Sequence, residues 1–175
     1  MLRRLRKNGP IVLVPLAWTF ITAAHLGLVA DRTLLIAHLV MNTVFVVFTA
    51  ASWSEMRSGV LYAWQLVLVV GTGVTLVGTA ALVLAADTSA GANLVAVMLS
   101  AWMLVPSAAF VYTARNVAPD TAPAVYRLAA GLGVVGWLVY FGGPLLAVGS
   151  AATLVGLTLV NVGQTAGIVN AVYQY

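Results

Sequence analysis

"VLYAWQLVLVVGTGVTLVGTAALVLAA", residues 60–86, contains no charged side chain. At 1.5 Å per residue a helix of that length reaches about 40 Å, more than the ~30 Å of hydrocarbon in a bilayer. Backbone groups in lipid must find partners within their own segment. The length and pattern do not fit the ~10-residue alternation of a barrel strand, so the segment is a helix. Five further apolar stretches lie at 11–30, 33–52, 92–115, 124–148 and 150–173. Polar breaks at "SWSEMRSG" (52–59), "ADTSAGAN" (86–93) and "ARNVAPDTAP" (114–123) separate the later segments. The expected fold is all-α: one membrane domain over residues 1–175, a polytopic integral membrane bundle of six transmembrane helices. The join at Asp31-Arg32 is so short that helices one and two are expected to form a tight hairpin.

Composition supports this reading. Of 175 residues 62% are hydrophobic and 7% charged, and the mean hydropathy is +1.05. A soluble domain carries roughly 25% charged residues, so this chain lacks the polar surface to face water. There is no cysteine, which excludes disulfides, thiolate metal sites and cysteine nucleophiles and leaves the redox compartment unreadable. The net charge of +4 resides mostly in cytoplasmic flanks and gives no reason to expect nucleic acid.

Charge also orients the bundle. With the N-terminus inside, Arg3, Arg4, Arg6, Lys7, Arg57, Arg115 and Arg127 all fall inside and only Arg32 outside, seven against one. Trp53, Tyr62, Trp64, Tyr112, Tyr126, Tyr173 and Tyr175 gather at the same inner interface. Six spans with both termini cytoplasmic, in a multi-pass protein of the cell membrane, is the reading that unites these facts. Basic residues, an apolar run and small residues near "LVA" also resemble a secretory signal, but the run is long for one and is read as a retained first helix.

"GLGVVG", residues 131–136, matches the glycine fingerprint of dinucleotide-binding loops. That loop works only between a strand and a helix, and here it lies inside a membrane span. Its glycines are expected to let helices approach closely, as are Gly71, Gly73 and Gly78 on helix three and Gly163-x-x-x-Gly167 on helix six. Such small-residue faces also offer a route to self-association or to contact with other membrane subunits, the partners expected beside the lipid bilayer.

The only two histidines are His25 and His38. Each lies about six residues from the Asp31-Arg32 turn, so a hairpin sets both roughly 9 Å from it at one depth, in the outer leaflet. His38 and Asn42 share a face at i, i+4, to which Thr49 returns; Trp18, Thr22 and His25 share a face of helix one. Ionisable residues within a membrane usually face the bundle interior, and a functional role is their default reading.

"AHLVMNTVFVVFTAASWSEM", then "LYAWQLVLVVGTGVTLVG" and "SAAFVYTARN", resemble the haem-copper oxidase subunit I superfamily, in particular short membrane proteins related to its nitric-oxide-reductase-like branch. The likeness covers helices two to four. It implies that His38, near the outer face and followed by an apolar run to an inner aromatic, takes the place of a haem b ligand. The paired His-x-His is absent and no histidine lies on helices three to six. A copper centre is therefore not implied, and reduction of oxygen or nitric oxide is not carried over.

Three readings of the histidine pair stay open. A haem sandwiched between His25 and His38 needs helices about 12 Å or more apart, whereas packed helices lie 8–10 Å apart. A compact ion of unknown identity suits a hairpin better, although only Asp31 could add a carboxylate. Alternatively each imidazole bonds the other, Thr22 or Asn42 as interhelical glue.

A second constellation points to transport. Asn161, Gln164 and Thr165 share a face of helix six near mid-membrane, Pro106 interrupts helix four, and "GGP" at 142–144 interrupts helix five. Interrupted helices leave carbonyls free, and transporters use such carbonyls at the midplane; Asn42 would join this substrate set. The alternative is that the amides simply bridge neighbouring helices. Glu55, near the inner interface, is read as a solvated or Arg57-paired carboxylate. The chain carries no Ser-His-Asp set, no His-Glu-x-x-His helix and no phosphate loop, so no catalytic residue is assigned and catalysis by this chain alone is not expected. The function expected is that of a small accessory or redox-associated membrane protein binding haem b through His38. The alternatives are a small-solute or ion transporter and a structural subunit without ligand.

Overall fold

The computed structural model describes residues 2–85, 87–143 and 149–174, with side chains from residue 8 onward. Six α-helices follow one another: α1 (Leu2–His25), α2 (Asp31–Ser52), α3 (Gly59–Leu84), α4 (Ser89–Asn116), α5 (Pro123–Gly142) and α6 (Gly149–Gln174), with a 3-10 turn at Pro119–Thr121 before α5. Five of them, α2 to α6, are long and apolar enough to cross a membrane. Among the described residues α1 is not one of these. From residue 8 onward it carries Asn8, Pro10, Pro15, Thr19, Thr22 and His25, which dilute its apolar run.

Helix ends follow local chemistry that hydropathy alone does not register. α1 stops at His25 and not near residue 30 because Gly27 adopts φ +72°. Gly27 N–H bonds to Ala24 O and Leu28 N–H to Ala23 O, each at 3.0 Å, the Schellman arrangement that closes a helix C-terminus. Asp31 and Arg32 are then no break but the first turn of α2, where the Asp31 carboxylate meets the positive end of the helix dipole. Thr88 caps α4 by accepting from Gly91 N–H at 3.0 Å. Pro123 opens α5, where a missing N–H costs nothing.

The helices pack α2–α3–α4–α5–α6–α1, with α6 also touching α4. α1 and α2 do not pack along their lengths, so the expected tight hairpin is absent. The five residues 26–30 are long enough to let each helix follow its own polar partner. Trp18 on α1 donates to Gln164 of α6 and Asn42 on α2 donates to Thr79 of α3, both at 2.9 Å. α2 ends up peripheral: 6% of its most apolar stretch is buried, against 39% in α4 and α6.

Lipid tails are as apolar as leucine, so burial does little to hold such helices together; close packing and interhelical hydrogen bonds do more. The α5–α6 interface shows the first. A Cβ on Gly136 would lie 2.7 Å from Gly156 O and one on Gly156 would lie 2.7 Å from Gly136 O, so the two backbones touch directly. Gly163 sits against Ala129 of α5, and Gly167 against Phe110 of α4. The "GLGVVG" glycines divide the same way: Gly133 faces Ser107 of α4, Gly136 faces α6, and Gly131 meets open space. The fingerprint is a packing surface. On α3, Gly71 seats the Trp102 ring and Gly78 the Met98 side chain, while Gly73 has no neighbour.

Gly156→Ala is expected to lower resistance to detergent-induced unfolding by about 1–3 kcal/mol, the usual cost of overpacking. Gly73→Ala should leave it unchanged. Equal effects of the two would show that direct backbone contact does not hold α5 to α6.

Candidate functional site

Two buried polar side chains, Gln164 of α6 and Thr75 of α3, meet at Trp102 of α4. Pro106 has no N–H, so the carbonyl four residues back, that of Trp102, lacks its helical partner. Gln164 of α6 supplies one: its Nε2 donates to Trp102 O at 2.8 Å. The other end of the same amide, Oε1, accepts from the Trp18 indole of α1 at 2.9 Å. Gln164 is buried, so a single side chain joins α1, α4 and α6 in the interior. The Trp102 ring extends the junction. Its Nε1 donates to Thr75 Oγ1 of α3 at 2.9 Å, and Phe45 of α2 stacks on it with centroids 4.9 Å apart.

Other indoles repeat the device. Trp64 of α3 donates to Thr113 of α4 at 3.1 Å, and Trp137 of α5 donates to Ser100 of α4 at 2.8 Å. An indole has one donor and no acceptor, so its single N–H must find an oxygen when it leaves water. From sequence, Trp64 reads as an inner-interface aromatic and Trp18 as sharing a face of helix one with Thr22 and His25, and neither reading gives the indole this role. Hydroxyl residues on facing helices were the available signal.

Of the proposed substrate residues, Gln164 is therefore engaged at both ends within the bundle. Asn161 lies apart from it, on the side facing α1: its Nδ2 reaches Thr19 Oγ1 at 3.5 Å, and its Oδ1 accepts from Thr165 at 3.2 Å. Asn42 is on the opposite flank, in the α2–α3 seam, where its Nδ2 donates to Thr79 and its Oδ1 is buried without a partner. The structure does not gather these four residues around one space.

Nor does it pair the histidines. His25 bonds through Nδ1 to Ile21 O at 2.9 Å and through Nε2 to the Tyr140 hydroxyl at 2.7 Å. Because a carbonyl only accepts, Nδ1 donates to it, and in the neutral form of the ring Nε2 is then the acceptor of the Tyr140 O–H. The rings meet edge to face at 5.6 Å, fastening α1 to α5. His38 also donates from Nδ1, to Leu34 O at 2.9 Å, which leaves its Nε2 lone pair available. The partner each imidazole does find is thus on its own helix or on α5. Neither bonds to Thr22, whose hydroxyl returns to Trp18 O, or to Asn42.

Among the described residues no group of three His, Cys, Asp or Glu is placed to hold a metal ion. A cavity of about 440 Å³ lies between α5 and α6, lined by apolar residues such as Leu138, Gly142, Ala152 and Val155, and it includes neither histidine. No family model matches the chain, and neither the curated proteins nor the solved structures contain a match.

Nitrogen NMR of the labelled protein should find both imidazoles protonated at Nδ1 when neutral. Tyr140→Phe should shift the Nε2 resonance of His25 and leave that of His38 in place. A neutral His25 protonated at Nε2 would contradict the Ile21 bond, because a bare Nδ1 cannot donate to a carbonyl.

Proposed function

We propose that the chain is a small accessory subunit of a membrane assembly, with α1 as a sixth span and both termini in the cytoplasm. The observation that carries the accessory role is the engagement of Gln164. The mid-membrane amide best placed to serve a transported solute is occupied at both ends, by Trp18 and by the carbonyl that Pro106 frees. An interior whose polar groups bond one another serves the bundle's own cohesion, and it leaves binding to its outer faces. Six spans are supported by the packing of α1 against α6, a membrane-length helix, and by seven basic residues on one side against one on the other. We place the chain in the cell membrane, with this charge bias setting its orientation there.

A haem b on His38 is the second reading, favoured by one observation. Ligating histidines typically donate one ring N–H to a carbonyl and present the other nitrogen, and His38 does so while His25 does not. The apolar cavity between α5 and α6 is lined by neither histidine, so a porphyrin on His38 needs a slot elsewhere. His38 therefore fits as one axial ligand at the edge of a site that another polypeptide would close.

Two experiments test these readings. The chain lacks cysteine, so single introduced thiols report position cleanly. Cysteine at the exposed Ser89 should react with an impermeant reagent from outside, and cysteine at the exposed Asp120 should not; the reverse would overturn the orientation of the bundle. Gentle extraction from native membranes should yield the chain with a second polypeptide in fixed stoichiometry, and colourless when purified alone. A chain found only by itself would remove the accessory reading. A Soret band abolished by His38→Ala would establish the haem. Solute uptake abolished by Gln164→Leu in a folded protein would restore the carrier.

A further inference from the structure

We infer that the α1–α6 face centred on Asn161 is the seam of a symmetric dimer of this chain, closed by reciprocal hydrogen bonds between the two Asn161 amides. The starting point is an incomplete set of hydrogen bonds. Asn161 is the middle of α6, a helix of 26 residues, so it sits at the depth where water is absent. An Asn amide carries two N–H donors and an oxygen with two lone pairs. One N–H reaches Thr19 Oγ1 at 3.5 Å, the outer limit of a hydrogen bond, and Thr165 occupies one lone pair. The second N–H and the second lone pair have no partner among the described residues. The group is not enclosed either: Asn161 and Thr165 are half-exposed and Thr19 is exposed. A donor left facing hydrocarbon is strongly unfavourable.

The occupant follows from complementarity. What remains on Asn161 is one donor and one acceptor in the plane of a single amide, and the simplest group that satisfies both is a second amide turned through a two-fold axis. That axis makes each N–H face the other copy's oxygen, the isologous arrangement commonest among soluble oligomers. The surroundings permit the approach. Val12 and Leu16 on α1 and Val155 and Val162 on α6 are exposed beside it, with Thr158 between the latter two. None is charged or aromatic, and the Thr158 hydroxyl is already bonded to Leu154 O at 2.8 Å. The amide is thus the group on this face that still calls for a partner.

Cysteine chemistry on this cysteine-free chain tests the seam. Val162→Cys, one residue from the axis, should oxidise in native membranes to a species of twice the monomer mass. Val135→Cys, equally exposed on α5, should stay monomeric. Asn161→Leu added to Val162→Cys should weaken self-association by about threefold to thirtyfold, read as the lipid dilution at which half the cross-link is lost. A Val162→Cys chain that remains monomeric, or joins a polypeptide of different mass, would overturn the proposal even if Asn161→Leu failed to fold. So would a cross-link that Asn161→Leu leaves unchanged. Because the readout is dimerisation, it stands or falls separately from the accessory role.

Discussion

A proline in α4, one of the two most enclosed helices, leaves one carbonyl without its helical partner, and the arrangement of the other helices can be read as the answer to it. In water the Trp102 carbonyl would find a solvent proton. In the middle of a bilayer it must find a protein donor or carry a penalty of several kcal/mol. Gln164 supplies the donor, and doing so sets the rotation of α6 about its axis, because its amide must point at α4. The oxygen of that amide then needs a donor of its own and receives the indole of Trp18, which draws α1 onto α6. The Trp102 side chain meanwhile ties α3 through Thr75 and α2 through Phe45. The missing N–H thus accounts for the link among α4, α6 and α1, and the ring of Trp102 adds α3 and α2 independently.

This explains a departure that would otherwise look arbitrary. Two helices joined by five residues would ordinarily lie side by side, yet α1 and α2 take opposite flanks. Each follows a polar bond made with a distant part of the chain, worth on the order of 1 kcal/mol in a membrane, and the linker does not oppose them. Glycine contacts between α5 and α6 act in the same direction by letting dispersion work over closely approached backbones. α2, packed along its length against α3 and touching α4 through Phe45, is the helix whose outer face remains most open to lipid or to another polypeptide.

How much of this the sequence discloses depends on the range of the interaction. Segment lengths place the later helices to within a few residues because hydrocarbon thickness is a strong constraint on composition. Residues 144–148, which the sequence reading assigned to helix five, lie outside the described residues. The early end of α1 was legible in principle, since Gly27 followed by Leu28 is a helix-stop signal, but an apolar run to residue 30 masked it. Asn161, Gln164 and Thr165 share one stretch of α6, but Gln164 turns into the bundle while Asn161 and Thr165 bond each other on its more open side. Their partners were not legible, because a hydrogen bond between residues 146 apart leaves no local pattern. The pairing of His25 with Tyr140 was hidden for the same reason. The freed carbonyl is different: Pro106 names its acceptor, four residues back, in any helix.

The most direct test of the account is a double-mutant cycle on Pro106 and Gln164, read as unfolding free energy in detergent. Gln164→Leu alone should cost about 1–3 kcal/mol, much of it from the unpaired Trp102 carbonyl. Pro106→Ala restores the helical N–H to that carbonyl, so the same Gln164→Leu change in its background should cost less, with a coupling of at least about 0.5 kcal/mol. The bond from Trp18 is lost in both arms and cancels. Strict additivity of the two substitutions would contradict the claim that Gln164 is where it is because Pro106 is where it is.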